Sequence, residues 1–154
     1  MAQRIFVDGG DPVLRKKSRE VTVFDERLHQ LLDDMHDTMA AANGVGLAGV
    51  QIGILRRIVV IDIDKRIELI NPVIAEESEE MLTMSEGCLS FPGERGLVAR
   101  PKKVTVNAQD RHGDPFTVTG EDMLARALCH EVDHLNGIVY HDKAIMMQES
   151  EEDE

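Results

Sequence analysis

The chain has 154 residues, 42% of them hydrophobic and 30% charged, with a formal net charge of −12 at pH 7. That length fits one domain with a real core, and the composition is that of a folded globular protein rather than a disordered one. The acidic balance argues against nucleic acid or an anionic membrane surface as the main partner, and no apolar run reaches the ~20 residues of a membrane span. Met1 to Gly10 carries neither a signal-peptide core nor a transit-type composition, so a cytoplasmic location is the expectation. Two cysteines, Cys88 and Cys129, make no disulfide framework, and in a reducing compartment a thiolate ligand is available. Trp is absent, which leaves an aliphatic, Met-rich core.

Residues 25–43 read as a first long helix. Phe24, Leu28, Leu31, Leu32, Met35, Met39 and Ala42 recur at three- and four-residue steps. Asp25 and Glu26 suit the positive end, and Gly44 follows as a stop. His29 and His36 fall on the polar side, where a solvated face is expected. Residues 44–53 are Gly-rich but too apolar for a flexible linker. The β-branched run 58–63 is expected as a buried strand, with short strands following at 68–72, 73–77 and 81–84. The stretch 98–108 alternates and is broken by Pro101. A turn signal at 110–115 predicts that 104–108 and 116–119 pair as a hairpin, with His112 exposed in the turn. Residues 119–136 read as a second long helix, with Thr119 and Asp122 as a capping box and Gly137 as the stop. Helix, several strands, helix is an order that favours an α+β single domain over a doubly wound sheet. Residues 1–147 are taken as that domain and 148–154 as an acidic, disordered tail.

The second helix contains His130-Glu131-Val132-Asp133-His134. Residues four apart share a helix face, so His130 and His134 can present two imidazoles to one metal ion. Glu131 lies about 100° round the helix and can reach water at the metal rather than the metal itself. A catalytic centre of this kind takes a third protein ligand and keeps one position open. In common zincins, the alternative reading as metallopeptidases, that ligand lies downstream. Here little chain remains: His141 is the only downstream histidine, and Glu149 onward reads as tail. Upstream, Glu86-Gly87-Cys88-Leu89-Ser90 places a cysteine beside a glycine in a short loop, and a thiolate is a strong soft ligand. Cys129 adjoins His130 and points away from it, so it reads as core or pocket wall.

Three segments together resemble the peptide deformylase family. They are Gly44-Val45-Gly46-Leu47-Ala48-Gly49-Val50-Gln51, the EGCLS run Glu86 to Ser90, and the HExDHLxG run His130 to Gly137. Order and spacing match from Ile5 to about Lys143. The resemblance implies a compact α+β fold with β-sheets surrounding the C-terminal motif helix. It implies hydrolytic removal of formyl from N-formylmethionyl nascent chains, releasing formate. It implies one divalent metal ion, natively Fe(II) and replaceable by Zn, Ni or Co, held by Cys88, His130 and His134. Glu131 is then the general acid/base, and Gln51 with the backbone N–H of Leu89 holds the developing oxyanion. Gly44 and Gly46 let the loop approach an extended substrate closely. Val45, Met123, Ala127 and the face of His130 are the candidates for the methionine pocket, and Glu86 shapes the cysteine loop or lines that pocket. Arg95 reads as a surface residue, and Asp133 is expected to orient a ligand or pair with a buried arginine such as Arg100. The chain departs from the family at Gly49-Val50, where an Ala-Pro pair is common, and at Cys129, where Gln is common. Some relatives carry a C-terminal helix that docks on the ribosome; this chain ends soon after Lys143, leaving transient ribosome proximity as the expectation. No membrane or direct nucleic-acid partner is expected.

Overall fold

The alternation of the run Ile58–Ile63 organises the molecule. In a computed structural model that describes residues 3–148, this run is strand β2. Successive side chains of a strand point to opposite faces. Ile58 and Val60 pack into one cluster with Leu28, Leu31, Leu32, Met35 and Met39 of helix α1 (Glu26–Ala41). Val59 and Ile61 pack into a second cluster with Ala125, Leu128, Cys129 and Leu135 of helix α2 (Met123–Leu135). A continuous apolar run is what a strand buried on both faces requires.

Strand β2 belongs to a five-stranded antiparallel sheet. Strand β1 (Gly46–Ala48), formed within the Gly-rich segment, lies on one side of it. On the other follow β3 (Lys65–Glu77), β6 (Lys103–Gln109) and β7 (Pro115–Glu121). Strands β4 (Met81–Cys88), β5 (Phe91–Pro101) and β8 (Ala144–Gln148) form a separate three-stranded sheet in the order β4-β5-β8. Helix α2 packs against strands of both sheets, so the motif helix is surrounded by β-structure, as the α+β reading expected.

The expected hairpin forms, with Val104 opposite Gly120 and Ala108 opposite Phe116, and His112 is exposed in its turn. The segments expected as two strands at 68–72 and 73–77 are one strand with register shifts. Asn71 takes a left-handed φ of 54° at the irregularity, and Pro72 brings no N–H to the ladder. The Asn71 side chain compensates by bonding both the N–H and the carbonyl of Val21, at 2.8 and 2.9 Å. The capping box is corrected. Thr119 lies in β7, where its hydroxyl meets that of Thr105 at 2.9 Å. Asp122 precedes α2 at φ 53° without a side-chain cap and pairs instead with Lys102 at 3.0 Å. Gly137 does stop α2. Its φ is +76°, and a Cβ there would run into the carbonyl oxygen of Arg15.

The solvated reading of the α1 histidines is also corrected. His36 is 4% exposed, with Nε2 3.0 Å from Glu68 Oε2. His29 is half-buried against the Arg111 carbonyl at 2.8 Å. Arg111 bonds both oxygens of Glu68, at 2.9 and 2.6 Å, and Asp33 at 2.9 Å, tying α1 to the sheet. Of the tail expected at 148–154, Gln148 ends β8 opposite Arg95, and the rest lies outside the described residues. No helix among the described residues is long and apolar enough to cross a membrane.

Burial raises the Glu68 carboxyl, but bonds from Arg111 and His36 outweigh it and hold the group at about 2, against 4.5 ordinarily. A depressed folded-state value gives stability that is complete above the unfolded value and is lost as pH falls towards the folded one. Glu68 should therefore contribute fully above about pH 4.5 and lose its contribution between there and about pH 2. Urea midpoints measured across that window should fall less steeply in Glu68→Gln than in the unsubstituted protein. Equal slopes would remove Glu68 as a source of acid sensitivity.

Candidate metal centre and active-site groove

Helix α2 supplies two of the three convergent donors. His134 is fully buried and His130 is 6% exposed, one turn apart on the face turned to β4 and β5. Their rings meet edge to face with centroids 4.9 Å apart. Cys88 ends β4 and is half-buried, with Sγ 3.3 Å from Nε2 of His134. One ligand atom each from Cys88, His130 and His134 lies within 4.8 Å of the others, close enough to share one ion. His130 turns Nδ1 to Glu86 Oε1, which leaves Nε2 for an ion. These residues therefore fit a single metal of the kind accepted by thiolate and imidazole.

Electrostatics agrees with that fit. Burial, helped by the charge of His130, lowers His134 well below the ordinary histidine value, which favours the neutral form that ligates. Burial works against a charged His130 too, but Glu131, Cys88 and Glu86 outweigh it and raise the group well above the ordinary value. The cluster thus favours a positive charge at its centre, which a metal ion would supply. Cys129 is 4% exposed in the core, and burial pushes its thiol up to about 11, consistent with a non-ligand. His141, the downstream candidate of the zincin alternative, faces Glu94 at 3.2 Å and packs on Phe91 instead.

Glu131 is 5% exposed, and its Oε1 has no hydrogen-bond partner among the described residues. Burial raises its carboxyl to about 7, against the opposing charge of His130. Gly46 sits directly over it: a Cβ added there would lie 2.7 Å from Glu131 Oε2. Gln51 is 1% exposed and cannot rotate freely. Its Oε1 accepts from the Ala48 N–H at 2.9 Å, so its Nε2 is aimed at Cys88 Sγ at 3.3 Å and Ser90 Oγ at 3.5 Å. Leu89 occupies the turn between β4 and β5.

A groove of about 820 Å³ opens over the cluster. Val45, Gly46, Met123 and Ala127, expected at the substrate, all line it, with Gln51, Cys88, Leu89, His130 and Glu131. Val45 and Met123 are 44% and 46% exposed, apolar side chains left open to solvent at its wall. Arg95 is exposed at the groove and donates to the Ser85 hydroxyl at 2.8 Å.

Glu86 also touches the groove, but both its oxygens are engaged inside the protein. Arg100 reaches Oε1 at 2.6 Å and Oε2 at 3.2 Å, and Arg126 reaches Oε2 at 2.8 Å. Arg100 also bonds Asp133 at 2.6 Å, the pairing expected from sequence. Burial raises the Glu86 carboxyl, yet bonds from His130 and Arg100 outweigh it and hold it well below the usual carboxylate range. Sequence reasoning missed Arg126. Its signal was its place four residues before His130 on the ligand face of an otherwise apolar helix.

A Cys-His-His donor set beside a buried glutamate, on a helix under an open groove, defines a metal-dependent hydrolase. Comparison with known proteins is specific. The family model for polypeptide deformylase matches residues 3–150. The peptide deformylase of Acetivibrio thermocellus is 53% identical over 153 residues, covering 99% of this chain and 89% of that protein. That of Caldicellulosiruptor bescii is 56% identical over 143 residues, covering 92% and 86%. The crystal structure of the Thermotoga maritima peptide deformylase superposes with a TM-score of 0.92 at 39% identity, covering 94% of this chain and 99% of that one. The Synechococcus elongatus enzyme, solved in complex with actinonin, gives 0.89 at 38% identity, covering 92% and 78%. The chain belongs to the polypeptide deformylase family, metal-dependent hydrolases that remove the N-formyl group from nascent peptides.

Two outcomes follow from this geometry. Arg100→Met leaves Glu86 and Asp133 as buried carboxylates short of their main partner, and should lower unfolding free energy in urea by about 3–5 kcal/mol. A loss below about 1 kcal/mol would show that the cluster is not an energetic unit. Gly46→Ala must displace Glu131, and should cut turnover roughly 10²-fold while the urea midpoint changes little. Turnover at the unsubstituted rate would show that Glu131 tolerates displacement.

Proposed function

We propose that Cys88 Sγ and the Nε2 atoms of His130 and His134 hold one divalent ion, and that the groove above them hydrolyses the formyl amide of N-formylmethionyl chains. The observation that carries this reading is the convergence of the three donors beside the unpartnered Oε1 of Glu131. Fe(II) is the native ion in this reading, with Zn, Ni or Co accepted by the same donors. When bound, the ion supplies Lewis acidity and makes water more acidic.

The chain's own residues do the rest. Glu131 Oε1 takes the proton of the attacking water as its oxygen bonds the formyl carbon. The C–N bond then breaks, the same carboxyl hands its proton to the departing amine, and formate and a free amino terminus result. Negative charge grows on the formyl oxygen during attack. Gln51 Nε2, oriented by the Ala48 N–H, and the Leu89 N–H are donors fixed in advance for it. Val45, Met123, Ala127 and the ring of His130 receive the methionine side chain, and Gly46 lets the extended backbone approach. Glu86 shapes this site from below, through His130. Substrates of this kind emerge from ribosomes, so the protein works in the cytoplasm in transient proximity to them.

Formate release from formyl-Met-Ala-Ser by anaerobically prepared protein tests the reading. Glu131→Gln should lower kcat by about 10²–10⁴-fold while the metal content stays at the unsubstituted level. Gln51→Ala should lower it by about 10²–10³-fold. Chelation should abolish activity, and added Co(II) should restore it. Full activity in Glu131→Gln, or in chelated protein, would overturn the proposed roles.

A further inference from the structure

We infer that Arg126 is a positioning residue for the metal centre, acting through Glu86 on the ring of His130; this rests on His130 being a ligand, as proposed above. Arg126, His130 and His134 leave α2 at four-residue steps, so they share one helix face. Arg126 is 5% exposed. Its Nη1 donates to Glu86 Oε2 at 2.8 Å and to the Val98 carbonyl at 2.9 Å, and its Nη2 donates to the Leu82 carbonyl at 2.6 Å. Leu82 lies on β4 and Val98 on β5. One guanidinium therefore joins α2 to both strands of the hairpin that delivers Glu86 and Cys88.

The consequence for His130 is a matter of tautomer. A neutral imidazole carries one ring proton, and a carboxylate at Nδ1 keeps it there, leaving the Nε2 lone pair for a metal. Glu86 Oε1 stands at Nδ1. The terminal torsion of a glutamate is soft, so a carboxylate must be held to stay aimed. Arg100 holds Glu86 on both oxygens, but its bond to Oε2 is the longer one at 3.2 Å. Arg126 supplies the shorter bond to Oε2. Without it only the longer Arg100 bond restrains Oε2, and the two strand carbonyls each lose a donor. A lysine can meet Glu86 with one ammonium, but it cannot present a planar fork to a carboxylate and two carbonyls together.

The test uses the Co(II)-loaded protein and its Arg126→Lys and Arg126→Met variants. The readouts are the rate of Co(II) loss to excess chelator, the visible d–d spectrum, and the urea midpoint of the metal-free chain. Arg126→Met should release Co(II) about 10–100-fold faster and shift the d–d bands, with Arg126→Lys between it and the unsubstituted protein. A purely structural arginine would lower the urea midpoint and leave cobalt release and spectrum unchanged, which would overturn the inference. Should Arg126→Met not fold, release from Arg126→Lys decides alone, and an unsubstituted rate overturns it. If the unsubstituted protein showed no thiolate-to-cobalt band, the metal centre itself would be wrong, and the inference would fall with it.

Discussion

One buried guanidinium holds the site together. Arg100, on β5, meets Glu86 from β4 and Asp133 from α2, and all three are less than a tenth exposed. Charges removed from water are costly unless paired with good geometry. The helix can therefore dock on the small sheet only in a register that brings Asp133 and Glu86 to Arg100. That register fixes the donors. Cys88 lies two residues beyond Glu86, and His130 and His134 flank Asp133 on the helix. The ionic cluster acts as a jig for the proposed metal site.

Around that jig the groups proposed to react are held by small, local constraints. Gln51 owes its aim to one bond from the Ala48 N–H. Glu131 owes its position to burial beneath Gly46, where no side chain intrudes. The two helices meet β2 from opposite faces, so the loop after α1 and the proposed ligands on α2 are referenced to the same strand. Loops that carry functional groups on a rigid scaffold are the common arrangement, and here the doubly buried β2 is part of that scaffold.

Much of this was legible in the sequence because the signals were periodic or contiguous. The four-residue spacing of His130 and His134, the Glu86 to Ser90 run (whose Cys88 ends β4 rather than lying in a loop) and the apolar run at β2 depend on near neighbours in the chain. The hairpin around His112 followed from its turn chemistry. What the sequence concealed depended on distant partners. His36 looked solvated until Glu68 and Arg111 closed over it. Thr119 suited a cap by spacing, but pairing with Thr105 claimed it for a strand. Arg126 went unread in the sequence, because only the assembled hairpin gives its guanidinium a carboxylate and two carbonyls to bind.

In the proposed site a sulfur and two imidazoles of this chain hold the ion on which formate release depends. X-ray absorption at the metal edge, taken on an anaerobic sample whose formate release has been measured, tests it directly. The expected result is one metal per chain with one sulfur at about 2.3 Å and two imidazole nitrogens at about 2.0–2.1 Å. A formate-releasing sample whose metal shell holds only nitrogen and oxygen would contradict the assignment of Cys88, and with it the upstream ligand that separates this site from the common zincins.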